Sequence, residues 1–179
     1  MFKSKIVFFI SFFIFCNSLY AQEETLISFK IEDQYEKEYT ENSWQDSVLV
    51  VFGSDKEGAK YNKVWAKALY ENYKKEALKI PIAYVGIADL SSVPFFLKTT
   101  VRKFFLKENA NGIMMDWEGI FPDAYNFKED HCNILLFDYN RNMIYKTAVT
   151  QLEDKKVAEI MHLFKTIKST KNNLKIQNK

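Results

Sequence analysis

The chain has 179 residues, 47% of them hydrophobic and 16% aromatic. That length favours one domain, and that much apolar material excludes a disordered chain. The formal charge is +2, but Lys3 and Lys5 supply the whole excess, so the charge gives no argument for nucleic acid as a partner.

Lys3 and Lys5 form a charged n-region, Ile6 to Phe15 an apolar stretch, and Asn17-Ser-Leu-Tyr-Ala21 ends on a small residue. This is the pattern of a cleaved export signal over residues 1–21. The apolar stretch is too short for a bilayer, which takes roughly 20 residues. The mature chain is expected to start near Gln22 or Glu23, to carry no membrane span, and to be periplasmic or secreted. Acylation at Cys16 is disfavoured, because Phe15 is bulky where a lipoprotein signal has a small residue. Loss of the leader leaves 23 basic and 23 acidic residues, and one thiol, Cys132. One thiol forms no internal disulfide. Cys132 is either a small buried hydrophobe or a reactive group.

Along the mature chain, Leu26–Phe29 is expected to be a short opening strand and Glu32–Asn42 a polar surface connection. Ser47–Phe52 is a continuous run suited to a buried strand. A turn from Gly53 to Gly58 leads into a helix over Ala59–Leu78, with Tyr61, Val64, Trp65, Ala68, Leu69 and Ala77 on its core face. Pro81 stops that helix, and Ile82–Ile87 is a second buried strand. Asp89–Ser92 and Pro94 mark a helix start. Leu97, Val101, Phe104 and Phe105 give the spacing of a second amphipathic helix, ended by Asn109-Ala-Asn-Gly112. Ile113–Asp116 is a short strand, and Phe121–Phe127 holds one or two helical turns. Asn133–Asp138 and Met143–Val149 form a hairpin about Tyr139-Asn-Arg-Asn142, whose asparagines tolerate a left-handed backbone. Val157, Ile160, Met161, Phe164 and Ile167 define a closing helix, and residues 169–179 are a polar tail expected to fray. Strands alternating with helices, then a hairpin and a helix, imply an α/β fold: a mixed sheet with helices on both faces.

This order resembles the thioredoxin-like superfamily, in particular its exported branch of thiol-disulfide oxidoreductases (TlpA-like), peroxiredoxins and periplasmic YtfJ-type proteins. Three segments carry the resemblance. Val48-Leu-Val-Val-Phe52 stands where that family has the strand before its active-site turn. Asp116-Trp-Glu-Gly119 with Ala124-Tyr-Asn-Phe127 resembles its D-x-x-G … A-Y-G-V segment. Ile134-Leu-Leu-Phe-Asp138 followed by Met143-Ile-Tyr resembles its hairpin. The resemblance implies a thioredoxin-like domain over residues 22–168, with the family's Cys-x-x-Cys falling on Glu57-Gly-Ala-Lys60. Neither cysteine is present there, and Glu57 and Lys60 cannot perform thiol-disulfide exchange. The family's cis-proline position falls on or beside Cys132. Asn126 stands where the family has glycine and can adopt the same left-handed conformation.

Other chemistries find little support. Gly53 and Gly58 have P-loop spacing, but the lysine comes one position late and no hydroxyl follows, which excludes that motif. Asp116, Glu118, Asp123, Glu129 and Asp130 lack calcium-loop spacing and read as solvated loop charge. His162 reads as a surface residue. Two histidines and one mature cysteine make no zinc site, and there is no G-x-S-x-G elbow. No cofactor or metal is expected. The favoured reading is a redox-inactive exported domain that binds a protein or peptide in the cell envelope, using Glu57, Lys60, His131 and Cys132 about one groove. The alternative is a monothiol enzyme with Cys132 as catalytic nucleophile, in peroxide or mixed-disulfide chemistry, activated by His131. A third reading is an envelope-assembly protein docking through Trp117 and Phe121.

Overall fold

A run with no charge, Val48-Leu-Val-Val-Phe-Gly-Ser54, can sit only between two covered faces. In the computed structural model, which describes residues 24–108 and 111–177, it is the fully buried central strand of a five-stranded sheet. The expected export signal and Cys16 lie outside the described residues. In chain order the elements are β1 (Lys30–Glu32), β2 (Glu38–Thr40), β3 (Val48–Ser54), α1 (Ala59–Lys75), β4 (Ile82–Asp89), a 3-10 turn (Phe95–Leu97) leading into α2 (Lys98–Glu108), β5 (Ile113–Asp116), α3 (Ile120–Tyr125), β6 (Cys132–Phe137), β7 (Met143–Val149) and α4 (Asp154–Gln177). The sheet order is β5-β4-β3-β6-β7. β3, β4 and β5 are parallel, while β6 runs antiparallel to both of its neighbours, β3 and β7.

The two-residue period of a strand sends alternate side chains of β3 to opposite faces. Val48, Val50 and Phe52 join Trp65 and Leu69 of α1 and Val157, Ile160, Met161 and Phe164 of α4. Leu49 and Val51 join Leu26, Phe29, Ile31, and Phe121 and Tyr125 of α3. Helices thus cover both faces, as the element order implies.

Several local expectations are corrected. Leu26–Phe29 is not a strand. Only its neighbour Thr25 bridges to Asn142, and Leu26 and Phe29 instead plug the second face. The supposed surface connection Glu32–Asn42 contains β2, paired with β1. Asp33 folds that hairpin: Oδ1 accepts the N–H groups of Tyr35 and Lys37 at 2.8 and 3.1 Å, and Oδ2 accepts the Tyr39 hydroxyl at 3.1 Å. The Gln34 side chain donates to Asn111 O and accepts from Ile113 N, both at 2.8 Å. It closes part of the open edge of β5, an edge that would otherwise invite pairing.

α2 departs most from its pattern. The expected core stripe lies outside the core: Phe104 is 60% exposed, and Leu97 is exposed with it. The second face is already filled by the 26–31 segment and α3. Arg102 ties α2 to the body through ion pairs to Glu32 and Glu36, at 3.3 and 3.2 Å. In the β6–β7 turn the left-handed residue is Arg141 (φ 69°), not an asparagine. Its guanidinium donates to the carbonyls of Ser47 (3.0 Å) and Trp44, which offsets the conformational cost. α4 continues to Gln177 and takes in much of the stretch expected to fray.

Candidate functional site

Because β3, β4 and β5 are parallel, Ser54, Asp89 and Asp116 end at one edge of the sheet. In open α/β sheets that edge is where ligands are received. After Ser54 the chain turns through Asp55–Gly58 into α1. Asp55 governs the turn: Oδ1 accepts Gly58 N–H at 2.7 Å, and Oδ2 accepts Asp130 N–H at 2.7 Å. The carboxylate thereby ties the turn to the loop before β6. Gly58 packs so closely on that loop that a Cβ would overlap the carbonyl group of His131. Gly53 likewise carries the ring of Phe127 where a Cβ would be.

Asn133 locks the same loop from beneath. Its Oδ1 accepts Lys128 N–H at 2.7 Å, and its Nδ2 donates to Lys128 O at 3.0 Å and Gly53 O at 3.3 Å. The side chain is 5% exposed. Asn133→Ala is expected to lower unfolding free energy by about 2–3 kcal/mol, because it orphans several groups away from water; chemical denaturation measures this.

The expected site residues separate. Glu57 and Lys60 are exposed on the turn, with Lys60 Nζ 5.0 Å from the centre of the Tyr61 ring. His131 is half-buried and meets the turn through Gly58. Its Nδ1 lies 2.5 Å from Glu129 O, to which it donates. Cys132 does not lie in the groove. It is fully buried among Val48, Val50, Trp65 and Phe164, and burial pushes its thiol up to about 12. A thiol so placed stays protonated at neutral pH, and its neighbour His131 is hydrogen-bonded elsewhere. This geometry disfavours the nucleophile reading.

Trp117 follows β5, half-buried, with Lys98 Nζ 5.2 Å from the centre of its ring. Phe121 is not an exposed docking residue; it is wholly buried. An open, shallow cleft of about 590 Å³ lies along this edge, lined by Asp89, Ser91, Asp123, Phe127 and Glu129 among others. Among the described residues no grouping of acids, histidines and cysteines could hold a metal ion. His162 is exposed on α4, as expected.

Asp116 is a buried structural acid rather than a solvated one. Oδ1 accepts Ile120 N–H at 3.0 Å and Oδ2 accepts Phe121 N–H at 2.8 Å, which satisfies the first turn of α3. Gly119 (φ 72°) makes the intervening turn, and Asn126 (φ 48°) ends α3 in the left-handed conformation expected of it. Burial raises the Asp116 carboxyl above its ordinary value, with the N–H donors opposing. The folded pKa then exceeds the unfolded one. The stability penalty is absent below the unfolded value, grows as pH rises, and is complete above the folded value. Asp116→Asn removes that dependence, so the variant's destabilisation relative to wild type is expected to be larger at pH 3.5 than at pH 7; urea titrations at both pH values check this.

Asp55 and Asn133 escape sequence reasoning. Asp55 leaves a trace, an aspartate three residues before Gly58 at a strand-to-helix turn. Asn133 has none, since it looks like one polar residue in an apolar strand.

No protein-family model and no curated protein matches the sequence. Solved structures do match. The pneumococcal exposed lipoprotein thioredoxin Etrx1 of Streptococcus pneumoniae covers 78% of this chain and 99% of its own, with TM-score 0.57 and 10% identity. A protein assigned as thiol:disulfide interchange protein DsbE of Chlorobium tepidum covers 81% and 96%, with TM-score 0.58 and 14% identity. BsSco, a member of the Sco family of cytochrome c oxidase assembly proteins, covers 82% and 95%, with TM-score 0.59 and 9% identity. The five-stranded mixed sheet with its flanking helices is a thioredoxin-like fold. Among the described residues no helix is long and apolar enough to cross a membrane.

Proposed function

We propose that this protein is an exported thioredoxin-like domain that is redox-inactive and holds a protein or peptide partner in the cell envelope. One observation carries the reading. The turn where the resemblance places a dithiol bears Glu57 and Lys60, and it is clamped to the facing loop by Asp55 and by backbone contact at Gly58. Thiol exchange needs an accessible thiolate at a helix start. The cysteine of the described residues is instead a buried core group. A partner would meet the rim formed by Glu57, Lys60 and His131. Similarity to Etrx1, described as an exposed lipoprotein, supports export, and similarity to a Sco assembly protein supports a role in assembly.

The test is direct. The purified protein should reduce neither insulin nor oxidised glutathione, and Ellman's reagent should label Cys132 only after denaturation. Retention of an envelope protein on the immobilised domain should weaken with Lys60→Glu and persist with Cys132→Ser. Insulin reduction at thioredoxin-like rates, or fast labelling of the native protein, would overturn the reading.

A further inference from the structure

The segment Phe95-Phe-Leu-Lys-Thr-Thr-Val-Arg-Lys-Phe-Phe-Leu-Lys107 is apolar and basic, with no acid in it. In the fold it is the 3-10 turn and nearly all of α2, and it carries most of the exposed large hydrophobic side chains among the described residues. Phe95 is 82% exposed, Phe96 68% and Phe104 60%, with Leu97 and Leu106 beside them. At 100° per residue, Val101, Arg102 and Phe105 share the half-buried side, while Lys103 and Lys107 lie opposite, between Leu106 on one side and Phe104 on the other. Arg102 is neutralised by Glu32 and Glu36. Among the described residues Lys103 and Lys107 have no carboxylate partner.

We infer that this segment is a peripheral docking element for an anionic lipid surface. Rings this exposed protrude rather than line a groove, which suits insertion among headgroups. Lysines beside them can keep their stems on the apolar face while the ammonium reaches lipid phosphate. The charge fixes the choice of occupant. A second copy of this chain in a two-fold contact would set Lys103 and Lys107 against themselves, whereas an anionic bilayer complements both lysines. The helix would lie in the plane of the interface, with Phe95 and Phe96 at its N-terminal end. The inference is independent of the partner proposed above, because it uses none of the groove residues.

Co-sedimentation with vesicles tests it. The probes are phosphatidylcholine alone and phosphatidylcholine with 30% phosphatidylglycerol. The chain from Glu24, which contains every residue of both cores, is compared with the full chain to separate any contribution of the leader. Binding to the anionic vesicles should exceed binding to neutral ones at least tenfold and fall with added salt. The pairs Lys103→Glu with Lys107→Glu, and Phe95→Ser with Phe96→Ser, should each lower it at least tenfold. All four positions are exposed, so both variants should keep the wild-type melting temperature and circular dichroism. Failure to bind either vesicle, equal binding to both, or indifference to both variants would overturn the proposal. So would finding that these residues hold an envelope protein in the absence of lipid.

Discussion

Gly58→Ala should destabilise the protein by about 3 kcal/mol, enough to lower the melting temperature by about 10 °C in a chain of this size. The sign is what makes the experiment informative. Gly58 has φ −71° and ψ −26°, a conformation any L-residue adopts. A glycine there, just before α1, would ordinarily gain about 0.4–1 kcal/mol on replacement by alanine, through the entropy of the unfolded chain. The new methyl group, however, meets backbone of His131, which has no rotamer to relax into. Opening that contact also stretches both bonds of Asp55, each worth about 1–3 kcal/mol with a charged acceptor. Steric and hydrogen-bond losses exceed the entropic gain several-fold. Thermal and urea unfolding of the variant check this. A stabilised variant would show that turn and loop can part, so that the groove is open and the clamped-turn reading is wrong.

Trp65→Ala should cost about 4 kcal/mol, a large share of the roughly 5–15 kcal/mol that holds a domain folded. Trp65 is wholly buried where α1 meets β3, β6 and α4. Its indole Nε1 donates to Gln151 O at 3.0 Å, joining α1 to the link between β7 and α4. The cost therefore has two parts. Trp65→Phe keeps most of the apolar volume and loses the donor, leaving that carbonyl without its partner, and should cost about 1–2 kcal/mol. Equilibrium denaturation of the three proteins separates packing from the hydrogen bond. Equal losses in both variants would mean that the bond, not the volume, dominates.

The core strands were legible because their signal is local. Val48–Phe52, Ile82–Ile87 and Ile134–Phe137 are uninterrupted apolar runs, and such runs find burial in any α/β arrangement. The D-x-x-G segment was recognisable by resemblance, but Asp116 read as solvated charge, because only the fold shows its carboxylate buried against the Ile120 and Phe121 N–H groups. The hairpin about Asp33 was hidden because its neighbours are polar: Asp33, Lys37 and Glu38 look solvated until the carboxylate is seen gathering backbone N–H groups. α2 misled for the opposite reason. Its spacing is that of a core helix, yet Leu26, Phe29 and Ile31 had already taken the face it might have covered.

For the site, the sequence by itself determined what is missing. Glu57 and Lys60 stand where the resemblance expects thiols, and neither side chain can perform thiol-disulfide exchange. Residue identity is a local property, so that conclusion needed no coordinates. Whether Cys132 is buried, and whether the turn before α1 is packed against a neighbour, depend on which side of β6 faces the core and on what the 128–131 loop touches. Those contacts join residues more than 70 positions apart, as Asp55 and Asp130 do. Only the tertiary structure decided them: it buried the thiol on the sheet face covered by α1 and α4 and pressed the turn at Gly58 against His131.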